Sequence, residues 1–493
     1  MNLSKSKNPW IAGLSSFVIH LVLLLVLAIW TITSTGLGRR LSIESGVLTR
    51  EEFSLETVVV ESDTDDQPSQ SGLGSLDVNS SLLTSDIQPN PLPLPGNVSP
   101  KPESISDTIR QSGTEGVGSA AIFLNSSFEG RSAKNRLAIG AKNGATGPSE
   151  DAVDAALAYL ARHQKNNGSW TINLDHGPCI GQCDHGGQRL DPHEIAATGL
   201  ALLCFLGRGH TLQEGEYSEQ VSRGVYYLVQ NLKSQSGRAT WLTSVAESEM
   251  YEHGIATLAL CEALQMNGDK ELLTKPCQEA INQIIYAQHN DGGWGYHPKT
   301  PGDLSIVGWQ VLALKSANAA KLGVNAETIR GVDIFLRQHV KNDYMFFYKH
   351  GSNTPTPSMT SIGTLVRIFR GWSKTDPSIL KAIEYLGDVG PSRADVYYNY
   401  YATQVFFQFG GKPWKDWNDR MRDYLINTQE KEGHMAGSWW FDLKKNTSEK
   451  ESYVRVSNET GGRLYVTAMA CLTLEVYYRY LPVNEAVRAD FQF

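Results

Sequence analysis

Four residues able to hold a metal crowd into one Gly-rich stretch, "DHGPCIGQCDHGG" (175–187). His176, Cys179, Cys183 and His185 follow the spacing His-x2-Cys-x3-Cys-x-His, and two thiolates with two imidazoles make a tetrahedral set that suits zinc. The spacing is not that of a standard zinc ribbon. A disulfide between Cys179 and Cys183, which an extracytoplasmic location permits, and a pair of free thiols are the alternatives. A second group of polar residues stands where apolar stretches begin: His193, Glu194, Glu249, His253, Asp303, Tyr397, Tyr398 and Arg463. Glu249 and His253 are four apart, hence on one helical face, and could act as an acid/base pair. With Asp303 they form the candidate catalytic set, and His193, Glu194, Tyr398 and Arg463 are candidates for lining a ligand cavity. Acids at helix starts are also favoured by the helix dipole and by capping, which accounts equally well for Glu194, Glu249 and Asp303.

A third stretch, "QHNDGGWGYHP" (288–298), has the look of an active-site loop, yet each of its residues has a structural task. Gly292 and Gly293 permit the backbone angles of a tight loop after a helix. Asp291 can accept from backbone amides within it. Trp294 offers a large ring to bury between neighbouring elements, and Gln288 can hydrogen-bond the adjoining turn.

The elements that carry these residues repeat. Six apolar stretches share one register: "AATGLALLCFL" (196–206), "YEHGIATLALC" (251–261), "SIVGWQVLALK" (305–315), "TSIGTLVRIFR" (360–370), "NYYATQVFFQF" (399–409) and "LYVTAMACLTL" (464–474). Their common column holds Gly199, Gly254, Gly308, Gly363, Ala402 and Thr467. An amphipathic stretch precedes each, beginning with "AVDAALAYLARHQ". A unit of about 55 residues built this way is a helical-hairpin repeat. The second helix of each unit is apolar almost all round and so expects burial on every side. The pattern predicts an all-α protein with a buried inner ring and an amphipathic outer ring. Closing the ring would remove the exposed ends that an open solenoid of the same hairpins must cap.

"QHNDGGWGYHP" resembles the QW motif of squalene–hopene and oxidosqualene cyclases and of related prenyltransferase-type repeats. Weaker copies are "RHQKNNGSW" (162–170), "TQEKEGHMAGSWW" (428–440) and the turn at Trp241. The resemblance covers roughly residues 150–482 and implies an (α/α)6 toroid of six helical hairpins with a central cavity. It does not carry the chemistry across. The stretch that matches the cyclases' Asp-x-Asp-Asp cluster is Thr300-Pro301-Gly302-Asp303, with Gly302 at the proton-donating position. The prenyltransferase zinc site needs Asp-x-Cys and a histidine, whereas this chain has Asp303, Ser305 and Val466 at those places. The resemblance therefore points to a toroid that binds an isoprenoid-like lipid or a peptide in its cavity. A divergent isoprenoid-type enzyme is the alternative.

Composition narrows the class further. The 493 residues carry a net charge of −8 and a pI of about 5.9, which disfavours nucleic acid as a partner because phosphate binding needs a basic surface. Six cysteines are too few for a disulfide-built scaffold of this size. After a ten-residue flank, residues 11–32 read "IAGLSSFVIHLVLLLVLAIWTI", apolar enough and long enough for a transmembrane helix. Trp10 and Trp30 fit interfacial positions. Residues 33–149 are rich in Ser, Pro and Gly without sustained periodicity and read as a disordered linker, and residues 483–493 read as a tail. The organisation expected is a single-pass membrane protein with an extracytoplasmic toroid at 150–482. His20 stands inside the span four residues after Ser16. That pair resembles the anchor of TonB-type energy-transducing proteins and implies a membrane-protein partner as a third reading.

Overall fold

The structure, a computed structural model, describes residues 129–184, 191–243, 248–266, 268–349, 351–352, 354–441 and 452–479. The expected span at 11–32, most of the linker and the tail lie outside the described residues. Among those described, no helix is long and apolar enough to cross a membrane.

A short helix, α1 (Ala133–Asn143), leads into twelve that alternate in position. The amphipathic ones are α2 (Gly147–Arg162), α4 (Ser218–Asn231), α6 (Lys270–Ala287), α8 (Ala326–Gln338), α10 (Pro377–Val389) and α12 (Gly411–Thr428). The buried ones are α3 (Glu194–Gly207), α5 (Glu249–Gln265), α7 (Leu304–Ala319), α9 (Pro357–Phe369), α11 (Val396–Phe409) and α13 (Ser452–Leu474). Helix α13 kinks at Gly462, where φ is 63°, and the segment that follows is buried. A last turn, α14 (Val476–Arg479), follows. Two small hairpins, β1 (Leu232–Gln235) with β2 (Arg238–Trp241) and β3 (Val340–Lys341) with β4 (Met345–Phe346), decorate the turns of the second and fourth units.

Packing closes the ring. Each buried helix packs on the next, from α3 through α13, and α13 packs back on α3. In the outer layer α12 packs on α2. The six hairpins therefore form an (α/α)6 toroid and not an open solenoid. The column of small residues explains the close inner ring. A Cβ on Gly199 would stand 3.2 Å from the Ala256 backbone of the neighbouring helix, and one on Gly308 would stand 2.8 Å from the Tyr401 hydroxyl.

The Gln…Trp turns join outer helices to inner ones and act as braces. Trp294 is fully buried, and its indole N–H donates to the Ile284 carbonyl at 2.8 Å. Gln288 donates to its own turn at Gly292 and to Thr328 on the next outer helix, both at 2.8 Å. Asp291 accepts from the amides of Gly293 and Gly302. Gly292 has φ of 89°, and a Cβ there would lie 1.9 Å from the Gly331 carbonyl oxygen.

One expectation about boundaries changes. The linker ends earlier than residue 149: Ser132 caps α1 by accepting from the Asn135 amide, and Gly144 closes it with φ of 103°. Arg131 just before it is fully buried. The eleven residues of α1 hold only two large apolar side chains, Leu137 and Ile139, too little apolar periodicity to declare a helix. Inside the ring, side chains from helices that are not neighbours meet at two places. Trp309 of α7 stacks on Tyr400 of α11, past the intervening α9, with centroids 5.8 Å apart. Nearer the far end, Arg479 donates to Glu262 at 2.9 Å and Arg131 donates to the same carboxylate at 2.8 Å.

Trp294→Ala should destabilise the fold by about 3–5 kcal/mol, as large core truncations do, read as a fall in the denaturation midpoint. An unchanged midpoint would show that the ring of this residue is not a brace.

Candidate functional site

Because every outer helix runs into its turn before the inner helix begins, the N-termini of the inner helices share one face of the ring. Asp303 caps α7 there. It is 3% exposed and accepts from the amide of Ser305 at 2.9 Å and from its hydroxyl at 2.6 Å. Its other carboxylate oxygen is buried without a hydrogen bond. Five tyrosines surround this corner. Tyr251 bonds the Ser305 hydroxyl, Tyr397 donates to the Ser305 carbonyl at 2.7 Å, and Tyr348 lies 3.5 Å from the Ser305 hydroxyl. Tyr296 continues the chain, its hydroxyl 2.9 Å from that of Tyr348. Tyr465 of α13 stands near Tyr397. All five remain partly or well exposed. Burial pushes the Asp303 carboxyl up to about 6, against the pull of the Ser305 donors. The same cause pushes Tyr251, Tyr348 and Tyr397 upward, so their hydroxyls stay protonated and can donate.

The other residues singled out by spacing have different surroundings. Glu249 meets the exposed His297 at 3.4 Å. His253 turns to the outer layer instead, its Nε2 3.0 Å from the Ala280 carbonyl of α6 and its ring 5.3 Å from Trp241. Burial lowers it to about 4. The two are on one helix, but each has its own partner, and the structure does not join them as an acid/base pair. Tyr398 likewise packs outward against Trp417, and its neighbour Tyr397 is the one that reaches the mouth. His193 pairs with Glu252 at 3.0 Å, and Glu252 also accepts from the amide of Ala196. Glu194 is bonded by Lys165 and by the Tyr227 hydroxyl. Gly302 has no room for an acid, since a Cβ there would fall 2.3 Å from the Phe335 ring.

Arg463 has a different task again. It donates to the Asp184 carbonyl and to the Ser438 hydroxyl, and so holds the cysteine loop against the last hairpin. In that loop Cys179 and Cys183 are both buried and free. The chain reverses between them through Ile180 and Gly181, whose φ values are 46° and 73°, and the Cys183 amide donates to the Cys179 sulfur at 2.9 Å. Their imidazole neighbours come from elsewhere in the chain. Cys183 lies 3.3 Å from Nε2 of His163 and 3.1 Å from Nδ1 of His434, and Cys179 lies 3.5 Å from that same nitrogen. The four donor atoms fall within 4.8 Å of one another. His185 and the side chain of His176 lie outside the described residues. Burial raises the Cys183 thiol to about 12 and lowers His163 to about 4.

Spacing along the chain misses His163 and His434 because 271 positions separate them. The available signal was their place in the first and last Gln…Trp turns, which a closed ring must bring together. Tyr397 and Ser305 stood out at helix starts, whereas Tyr251, Tyr296, Tyr348 and Tyr465 were missed because they look like ordinary helix and turn residues until the turns and helices converge.

No family model matches the sequence, and no curated protein matches it. Similar solved structures include a type II terpene cyclase from Scytonema, 11% identical over 67% of this chain and 97% of that one, with a TM-score of 0.44. An α-mannanase of glycoside hydrolase family 76 from Bacteroides thetaiotaomicron is 13% identical over 69% and 98%, at 0.48. An α-amylase from Clostridium perfringens is 12% identical over 66% and 97%, at 0.45. At these values the likeness concerns the helical ring, and no residue role passes from those proteins to this chain.

Asp303 gives the site a measurable pH signature. A carboxyl raised from 3.8 to about 6 on folding holds its proton in the native state while the unfolded chain has lost it. Its contribution is therefore full below the unfolded value and is lost as pH rises toward 6. Groups facing it are Tyr251, Tyr296, Tyr348 and Lys349. Asp303→Asn should gain stability relative to the parent between pH 4 and pH 7 by on the order of 3 kcal/mol, read from denaturant melts at both values. A pH-independent difference would contradict the buried, proton-holding carboxyl.

Proposed function

We propose that this chain is a binding protein whose tyrosine-lined mouth receives a peptide. The observation that carries this reading is the set of five partly exposed tyrosines around Asp303 and Ser305 at the inner-helix starts. Tyrosine supplies a broad ring at low entropic cost with a polar tip, which suits contacts with a peptide. An isoprenoid-like lipid needs a deep apolar tunnel, and the stack of Trp309 on Tyr400 inside the ring counts against one. The net charge of −8 and the unpartnered Asp303 oxygen favour a peptide with a cationic or amine-bearing group.

In this reading residues 11–32 anchor the chain in the membrane and the linker lets the ring reach its ligand outside the cytoplasm. His20 would offer a contact to a membrane-protein partner.

A second reading has its own observation. Asp303 titrates near neutrality, and the hydroxyls of Ser305, Tyr348 and Tyr296 make a path from it to solvent. A carboxyl so placed can deliver or accept a proton, which would suit a divergent cyclase-type enzyme.

Panning a displayed random-peptide library on the detergent-solubilised full chain separates these. A peptide family should be enriched on the parent, and its affinity should fall about tenfold with Tyr348→Ala or Tyr397→Ala, the loss typical of an interface anchor. Equal binding by those variants would overturn the mouth as the site. A prenyl lipid found on the purified chain by native mass spectrometry would favour the isoprenoid reading instead.

A further inference from the structure

We propose that His163, Cys179, Cys183 and His434 bind one zinc ion that locks the first and last hairpins of the ring together. The donor set is two thiols and two imidazoles, and a closed set of four protein ligands without a place for water is the pattern of structural zinc. The separations of 3.1, 3.3 and 3.5 Å between sulfur and nitrogen are close to the edges of a tetrahedron whose bonds run about 2.0–2.3 Å.

The surroundings fit a metal better than they fit four ordinary core residues. His163 presents Nδ1 to the Tyr159 carbonyl at 2.7 Å, so the proton sits there and the lone pair of Nε2 faces Cys183. Orientation of a ligand histidine by a carbonyl on its other nitrogen is a recurring feature of zinc sites. The Cys183 amide donates to the Cys179 sulfur at 2.9 Å, an N–H···S bond of the kind that orients a ligand thiolate. Two left-handed residues, one of them the exposed Ile180, fold the loop back on itself, a conformation that costs energy at a non-glycine position.

The location supplies the role. Every other pair of adjacent hairpins is joined by the chain, whereas the first and last meet only through contacts. At this seam Gln429 reaches the Ala152 carbonyl at 2.7 Å and Arg162 reaches the Ala436 carbonyl at 2.7 Å. A surface cleft of about 450 Å³ nonetheless opens between α2 and α12, lined by Asp151, Ala155, Ile426 and Glu430. His163 ends α2, His434 lies in the turn after α12, and the two cysteines precede α3. A metal bound by all four ties together the three segments that meet at this seam, the one junction of adjacent hairpins that the chain itself does not bridge. The N-terminal helix α1 closes the opposite end of the same seam through Trp414 and Asn143.

Elemental analysis of the full chain, purified in detergent without chelator, tests this directly. The parent should carry about one equivalent of zinc, Cys183→Ser and His434→Ala should lose it, and His289→Ala, in another Gln…Trp turn, should keep it. Because the variants could misfold, cobalt replacement in the parent gives an independent reading: the ligand-field bands of a tetrahedral site with two thiolates. Chelation should lower the melting temperature and raise amide exchange at 152–163 and 429–439 more than at 304–338, across the ring. A parent devoid of zinc after equilibration with the metal would overturn the proposal, as would variants that retain it or a Cys179–Cys183 disulfide recovered by peptide mapping.

Discussion

The toroid depends on one repeated hydrogen-bonding device. A glutamine at the end of an outer helix donates one N–H to its own turn and the other to the next outer helix around the ring. Gln164 does this between Gly168 and Gln220, and Gln288 does it between Gly292 and Thr328. Gln429 does the same between Gly437 and Ala152, but its second partner belongs to the first outer helix. The tryptophans that follow each donate to a carbonyl of the helix just completed, as Trp170, Trp294 and Trp439 do. Local brace and ring closure are therefore the same interaction, and buried amide groups left unmade would each cost more than they contribute when made.

Inside the closed ring the chain's own side chains meet. Residues from helices that are not neighbours meet there: Trp309 with Tyr400 at one level, and Arg131, Glu262 and Arg479 at another. Such a buried ionic group is costly to desolvate and is tolerated because its members satisfy one another. Burial still holds Glu475 beside it up at about 8 and Lys315 down at about 8. Polar groups also converge at two other places, the tyrosine mouth and the seam.

Those two places were unequally legible. Asp303 was visible at the start of an apolar helix, and the two cysteines were visible as a pair. Their working neighbours were not. Tyr397 and Tyr398 are adjacent in sequence and equivalent in type, and only helix rotation decides that the first reaches Ser305 while the second packs on Trp417. Glu249 and His253 share a face by spacing, yet the face is wide enough for one to meet His297 and the other to turn toward α6.

Periodicity alone determined the paired helices, the small-residue column and the Gln…Trp braces, because each depends on residues within one or two turns of one another. Only the tertiary structure decided which histidines join Cys179 and Cys183. His163 and His434 stand at opposite ends of the repeat array, and their meeting is a consequence of closure. Spacing records separation along the chain, whereas a ring makes its first and last units neighbours.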